Sequence, residues 1–186
     1  TIMVIVFVPA VSRALMALIG ISDTLPEIYW TLITGALSLV AAVVMMQTLR
    51  LRTREVGLTF GKPLPQFLVS LTGIGFGMVE YYLTKPEPLI TELTWGEFIP
   101  AALISLLGVA FVEELIFRGV LQRTSTEALG GWGLFYVSLL FAVLHVGSVS
   151  GVNLSAMVIP FIFVVALFFS WVVKRTGSLS GVILSH

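Results

Sequence analysis

Apolar residues run along this chain in long stretches that are separated by short polar segments. Several stretches approach the about 20 residues that an α-helix needs to cross the hydrocarbon layer of a bilayer. Because lipid offers no hydrogen-bond partner to an open strand edge, we expect helices. The pattern therefore predicts an all-α fold, a polytopic transmembrane helical bundle with at least six spans and the start of a seventh. The predicted spans are residues 2–21, 27–49, 64–83, 98–117 with a continuation, 132–146 and 154–173, and the seventh begins near Leu179.

The composition also indicates a membrane protein. Hydrophobic residues make up 58% of the 186 residues and charged residues only 11%, whereas soluble domains have about 25% charged residues. The mean hydropathy is +1.06. Ten basic and ten acidic residues cancel, so the net charge gives no indication of a nucleic-acid partner. The sequence has no cysteine, which excludes disulfides, thiolate metal sites and cysteine nucleophiles within it.

Basic residues concentrate on one side of the predicted bundle, which we call the basic side. They are Arg50, Arg52, Arg54, Lys62, Arg118, Arg123, Lys174 and Arg175. The opposite loops, on the acidic side, contain Asp23, Glu27, Glu87, Glu92 and Glu97, with Lys85 as their one base. The positive-inside rule places the basic side in the cytoplasm or its topological equivalent. We expect an integral, multi-pass protein of a bacterial or archaeal plasma membrane, or of an organellar membrane such as the thylakoid.

Isolated features at membrane depth have structural explanations. We expect the lone charges of Arg13 and Glu80 to reach the interface or to have structural partners. Gly73 and Gly77 form a GxxxG pair, which is typical of close helix packing, with substrate contact as the alternative. The chain begins and ends inside apolar runs, so we expect it to be the core of a longer protein.

The segment GVAFVEELIFRGVLQR places Glu113, Glu114 and Arg118 in an apolar helix. Ionisable residues at that depth are costly and indicate a functional site. Residues four apart share a helix face, so Glu114 and Arg118 are predicted to pair. Glu113 lies about 100° away around the helix, which leaves its carboxylate available as a general base. The alternative is a salt-bridged helix end at the basic interface.

The two histidines of the chain, His145 and His186, both lie in apolar segments. Together with the glutamates they form a candidate hydrolytic or metal-binding group. Glu113 and Glu114 lie about as far before a predicted turn at residues 130–131 as His145 lies after it, so an antiparallel hairpin would allow Glu114 or Glu113 to face His145 at the same depth. His186 matches that depth only if the span before 147–153 stops inside the membrane, so we predict non-helical backbone there.

Three motifs in this order resemble the CPBP family of intramembrane proteases, also called the Abi family, which includes the type II CAAX prenyl endopeptidases. They are EELIFRG at 113–119, FAVLH at 141–145 and KRTGSLSGVILSH at 174–186. The resemblance covers residues 98–186. We accordingly divide the chain into N-terminal transmembrane helices with a basic-side loop, residues 1–96, and a CPBP-like catalytic helical core, residues 97–186, which is truncated at its C-terminus.

The resemblance implies an intramembrane endopeptidase that opens toward the basic side. By position, Glu113 would activate water, and Glu114 and Arg118 would support it. His145 and His186 would form the water site and help to stabilise the oxyanion. Glu113, His145 and His186 could also hold a zinc ion. The family's later Asn-type position would fall at residue 190, beyond this sequence.

The implied partners are the bilayer and a peptide or membrane-protein substrate; a membrane-protein complex is a further possibility. The family's roles include cleavage of prenylated C-termini and of peptide precursors, and self-immunity against bacteriocins. Two alternatives remain open. One is a non-catalytic scaffold or chaperone that binds another membrane protein. The other is a small transporter that uses the Glu and His residues as a proton or ion relay.

Overall fold

The fold was analysed in a computed structural model, which describes residues 27–85, 90, 93–145 and 152–186. All regular structure within these residues is helical, as the hydrophobic pattern predicts. The helices are α1 (Glu27–Thr48), α2 (Pro63–Thr84), α3 (Trp95–Leu129), α4 (Trp132–Leu144), α5 (Val152–Thr176) and α6 (Ser180–Ser185). The all-α, polytopic membrane fold is therefore confirmed for the described residues.

Four of these helices are long and apolar enough to cross a membrane. Their candidate spans are Tyr29–Thr48, Pro63–Thr84, Trp95–Leu129 and Ala156–Thr176. They correspond to four of the predicted spans, whereas the predicted span 2–21 lies outside the described residues. The helix found at the predicted span 132–146 is too short to be a span, because α4 has only 13 residues. At 1.5 Å per residue it is about 20 Å long, which is shorter than the hydrocarbon layer.

Helix α3 is the longest described helix, with 35 residues, and it continues well past residue 117 as predicted. Two of its segments, Ser105–Ala110 and Leu115–Leu121, are π-helical. A single α-helical turn, Phe111–Glu114, lies between them. A π-helical segment closes its hydrogen bonds over five residues instead of four, and such segments are frequent at functional sites. The two glutamates predicted from the sequence therefore lie in the α-helical turn between the two π-helical segments.

Glycines allow the close approach of two helix pairs. A Cβ atom on Gly35 of α1 would lie 2.5 Å from the carbonyl oxygen of Gly108 in α3. A Cβ atom on Gly73 of α2 would overlap the carbonyl oxygen of Ser185 in α6. Gly77 is different, since nothing lies within 4 Å of its Cβ position. The two glycines of the predicted GxxxG pair therefore have different surroundings, because Gly73 lies at a helix contact and Gly77 lies beside open space.

The loop between α1 and α2, residues 49–62, packs into the basic side of the bundle. Val56 is 1% exposed, and its carbonyl oxygen lies 2.9 Å from the Cβ position of Gly119 in α3. The backbone N–H of Leu179 donates to the carbonyl oxygen of Gly57 at 2.9 Å. This loop therefore joins α3 to the turn before α6.

The buried core surrounds the second half of α3. It is formed by residues of α1, α3, α4 and α5, the loop residue Val56 and α6. Large apolar side chains on the outer faces of α1 and α2 are exposed. Exposed apolar faces on helices of this length are expected where lipid, rather than water, is the surrounding solvent.

The contact between α2 and α6 can be tested with Gly73→Ala. The added methyl group meets backbone rather than a flexible side chain, so we expect a loss of about 1–3 kcal/mol in unfolding free energy. Gly75→Ala in the same helix is the matched control, because nothing lies within 4 Å of its Cβ position. This control should unfold at the same or a higher temperature, since alanine favours helix over glycine by about 1 kcal/mol.

Thermal unfolding of both variants in the same detergent micelles measures the difference. Equal midpoints for Gly73→Ala and Gly75→Ala would contradict the close approach of α2 to α6.

Candidate functional site

Helix α3 directs the Glu114 carboxylate and the Arg118 guanidinium toward each other inside the bundle. Arg118 Nη1 donates to Glu114 Oε1 at 2.9 Å, so the pairing predicted from their spacing is confirmed. Glu114 is 0% exposed and Arg118 is 3% exposed. The alternative of an interfacial salt bridge is therefore wrong. Removing two charges from water costs several kcal/mol per ion, which a buried pair offsets only with good geometry and further hydrogen bonds.

Aromatic rings provide part of the support for Arg118. Its guanidinium carbon lies 4.3 Å from the ring centroid of Phe141 in α4 and 5.7 Å from that of Phe169 in α5. Arg118 Nη2 also donates to the carbonyl oxygen of Ala166 at 3.5 Å. A desolvated cation–π contact contributes about 2 kcal/mol. Arg118 therefore connects α3 to both α4 and α5.

His186 joins the same network from the end of α6. Its Nδ1 lies 3.0 Å from Glu114 Oε1, and it donates the hydrogen bond because an ionised carboxylate only accepts. The neighbouring Ser185 shares a hydrogen bond of 3.0 Å with Thr72 of α2. His186 is therefore held against Glu114 inside the bundle, and Glu114 Oε1 interacts with both His186 and Arg118.

Glu113 lies on the other side of the His186 ring. Its Oε2 is 3.7 Å from His186 Nε2, which is too far for a direct hydrogen bond. The side chain is 31% exposed, yet Oε2 itself is buried and has no hydrogen-bond partner among the described residues. This agrees with the prediction that Glu114, rather than Glu113, pairs with Arg118. Polar atoms at such a separation are commonly bridged by water.

His145 follows the last residue of α4. Its Nδ1 lies 2.8 Å from the carbonyl oxygen of Phe141, and because a carbonyl only accepts, Nδ1 carries the proton. The ring centroids of His145 and Phe141 are 4.5 Å apart. As the hairpin argument predicts, α3 continues to Leu129, and His145 at the end of α4 lines the same cavity as Glu114. The predicted non-helical segment 147–153 falls mostly outside the described residues, and α5 begins at Val152.

A cavity of about 90 Å³ lies beside this network, which is enough for several water molecules. Five helices contribute to its wall. The lining residues are Phe76, Gly77, Glu80, Glu114, Arg118, Phe141, His145, Phe161, Ile162, Val165, Ala166, Phe169, Ser185 and His186. The structure therefore brings four of the five predicted site residues to one cavity, and Glu113 is next to it through His186.

On α2 the cavity is lined by Phe76, Gly77 and Glu80, which lie in the second half of a helix that starts at the basic side. In the described part of the chain, the 49–62 loop and its contacts with the turn before α6 occupy the basic end of the bundle. The opening of the site toward the basic side stays a prediction of the sequence.

Sequence reasoning missed Glu80 as a cavity residue, because one acid near a helix end resembles an interfacial charge.

The zinc ligands predicted from the sequence are Glu113, His145 and His186. No group of three His, Cys, Asp or Glu side chains in the described part of the chain could hold a metal ion. As arranged, Glu113, His145 and His186 do not form such a group, and zinc stays a prediction of the sequence.

Comparison with known proteins gives one match. Residues 95–186 match the family model described as type II CAAX prenyl endopeptidase Rce1-like. The matched range contains Glu113, Glu114, Arg118, His145 and His186, but not Glu80. No curated protein and no solved structure matches the chain.

The energetic role of the buried pair can be tested with Glu114→Gln, Arg118→Met and the double variant. Each single change leaves one uncompensated buried charge, so we expect each to reduce the unfolding free energy by about 3–5 kcal/mol. The double variant should lose clearly less than the sum of the two single losses. Reversible unfolding in mixed micelles measures the cycle, and strictly additive losses would contradict a direct interaction.

Proposed function

The part of the chain that contains the site, residues 95–186, belongs to the type II CAAX prenyl endopeptidase Rce1-like family, and from this we propose an intramembrane endopeptidase. It hydrolyses a peptide bond in a membrane-associated peptide or protein with a water molecule that Glu113 activates. The substrate bond lies near the end of the substrate or in a flexible segment of it.

The observation that supports this proposal best is the pair formed by Glu113 and His186. The buried Glu113 Oε2 has no hydrogen-bond partner among the described residues, and it lies 3.7 Å from His186 Nε2. In the proposed reaction a water molecule from the neighbouring cavity bridges these two atoms. A general base must reach the proton it removes, and this geometry allows that.

The proposed chemistry uses Glu113, a water molecule and the substrate. The water oxygen attacks the peptide carbonyl carbon, and its proton moves to Glu113. The tetrahedral intermediate then breaks its C–N bond, and the proton passes from Glu113 to the leaving amine. The developing negative charge on the oxygen requires nearby donors. His145 lines the same cavity and is the proposed donor to this oxygen.

Glu114 and Arg118 act as positioning residues in this proposal. Glu114 accepts from His186 Nδ1 at 3.0 Å, which fixes the orientation of the imidazole ring and directs Nε2 toward Glu113. Arg118 in turn holds Glu114 at 2.9 Å. Hydrogen bonds of this kind keep reacting groups within the small errors of position that catalysis tolerates.

Glu113→Gln tests the hydrolytic proposal. The variant keeps the shape of the side chain but removes the base, so we expect cleavage to fall about 10²–10⁴-fold with an unchanged unfolding midpoint. Glu127→Gln is the matched control, since its side chain is 63% exposed and pairs with Arg123 away from the cavity. Proteomic comparison of membranes that contain wild type or variant should reveal a peptide that accumulates uncut with Glu113→Gln alone.

The alternatives give different results in the same experiment. Family membership does not guarantee activity. A scaffold would keep its biological effect with Glu113→Gln, and no peptide would accumulate. A proton or ion relay would show flux across proteoliposomes that is lost with His145→Ala. Either result would contradict hydrolysis.

A further inference from the structure

We propose that Glu80 of α2 determines substrate specificity by binding a positively charged group of the substrate, either a lysine or arginine side chain or a peptide amino terminus. The inference rests on the proposed function, because it assigns a binding position in the same cavity. Glu80 lies outside the range that matches the family, so its role comes from the geometry of this chain.

Glu80 is the one charged residue in the 22 residues of α2. Ionisable residues within a membrane span are rare and usually face a cavity or a partner. Glu80 lines the cavity that also contains Arg118 and His186. Within the described ranges, its carboxylate makes no ion pair with any Lys, Arg or His. Glu80 is exposed near the C-terminal end of α2, so its carboxylate is accessible both from the surroundings and on the cavity wall.

The charges on the cavity wall favour a cation. The positive charge of Arg118 is compensated by Glu114 at 2.9 Å, so the carboxylate of Glu80 is left without compensation there. Glu114 Oε2 is also buried and has no hydrogen-bond partner among the described residues. These oxygens can only accept hydrogen bonds. A substrate group that donates several hydrogen bonds and has a positive charge therefore complements this wall, whereas a free carboxylate is repelled.

The position of Glu80 along α2 gives its approximate distance from His186 and Glu113. Gly73 contacts the backbone of Ser185, directly before His186, and Phe76 packs against Phe169 with ring centroids 5.9 Å apart. Glu80 follows Gly73 by seven residues, or about 10 Å along the helix axis. An extended peptide advances about 3.3 Å per residue. The cationic group should therefore lie about three residues from the bond that is cut.

Lipid-anchored fluorogenic peptides test this position in nanodiscs that contain the full chain. A single Lys, Met or Glu is moved through an otherwise uncharged Ala/Leu sequence, so that Met controls for the length of Lys. Wild type should prefer Lys to Met at one position about tenfold or more in kcat/KM, mainly through KM. Glu80→Gln should remove this preference, and Glu80→Lys should favour Glu instead. Glu80→Asp should retain part of it, and the control Glu127→Gln all of it.

An unchanged preference for Lys in Glu80→Gln would overturn the proposal, as would the absence of any preference in wild type. Binding of the same peptides to Glu113→Gln, followed by fluorescence anisotropy, separates this result from a failure of the proposed function. If Lys peptides bind with a preference that Glu80 provides but are not cut by wild type, hydrolysis is wrong and charge recognition stands. If peptides are cut in a Glu113-dependent reaction without charge preference, the role of Glu80 is wrong and hydrolysis stands.

Discussion

One carboxylate oxygen, Glu114 Oε1, is the atom on which the site depends. It accepts from Arg118 at 2.9 Å and interacts with His186 at 3.0 Å, while the whole residue is 0% exposed. A buried charge is tolerated only when its partners are in place. The helices that provide those partners must therefore dock correctly before the buried charges are stabilised. The same constraint orients the His186 imidazole toward Glu113.

The depth of the site follows from where α4 ends and where α6 begins. Helix α4 ends after 13 residues at Leu144, directly before His145, and His186 lies about two turns past the start of α6 at Ser180. Both imidazoles therefore reach the cavity that is also lined by Glu114 and Arg118. A full-length span at α4 would have separated His145 from His186, because the sequence places the first near the end of a predicted span and the second near the start of another. Polar groups at this level are possible because they line a cavity rather than face lipid.

The sequence was sufficient to predict features that depend on local spacing. The Glu114–Arg118 pair, the continuation of α3 and the approach of His145 to Glu114 all follow from residues four apart or from equal distances around a turn. Features that depend on tertiary packing were not predictable. Hydropathy alone does not show that α4 is too short to span the membrane. Gly73 lies at a helix contact and Gly77 on a cavity wall because of where α6 docks, and no local sequence pattern specifies that.

The two ends of the bundle differ in how closely their residues are packed, and this affects how water could reach the site. On the basic side, Val56 is 1% exposed under Gly119, and Arg123 pairs with Glu55 of the same loop at 3.2 Å. On the acidic side of the charged network, the cavity wall includes Glu80, which is exposed. Water approaching Glu113 and His186 from the basic side would have to displace a packed loop and its backbone hydrogen bonds. Hydration through the cavity disrupts none of these contacts among the described residues, so the packed loop favours the cavity wall that contains Glu80 as the route of water in the proposed reaction.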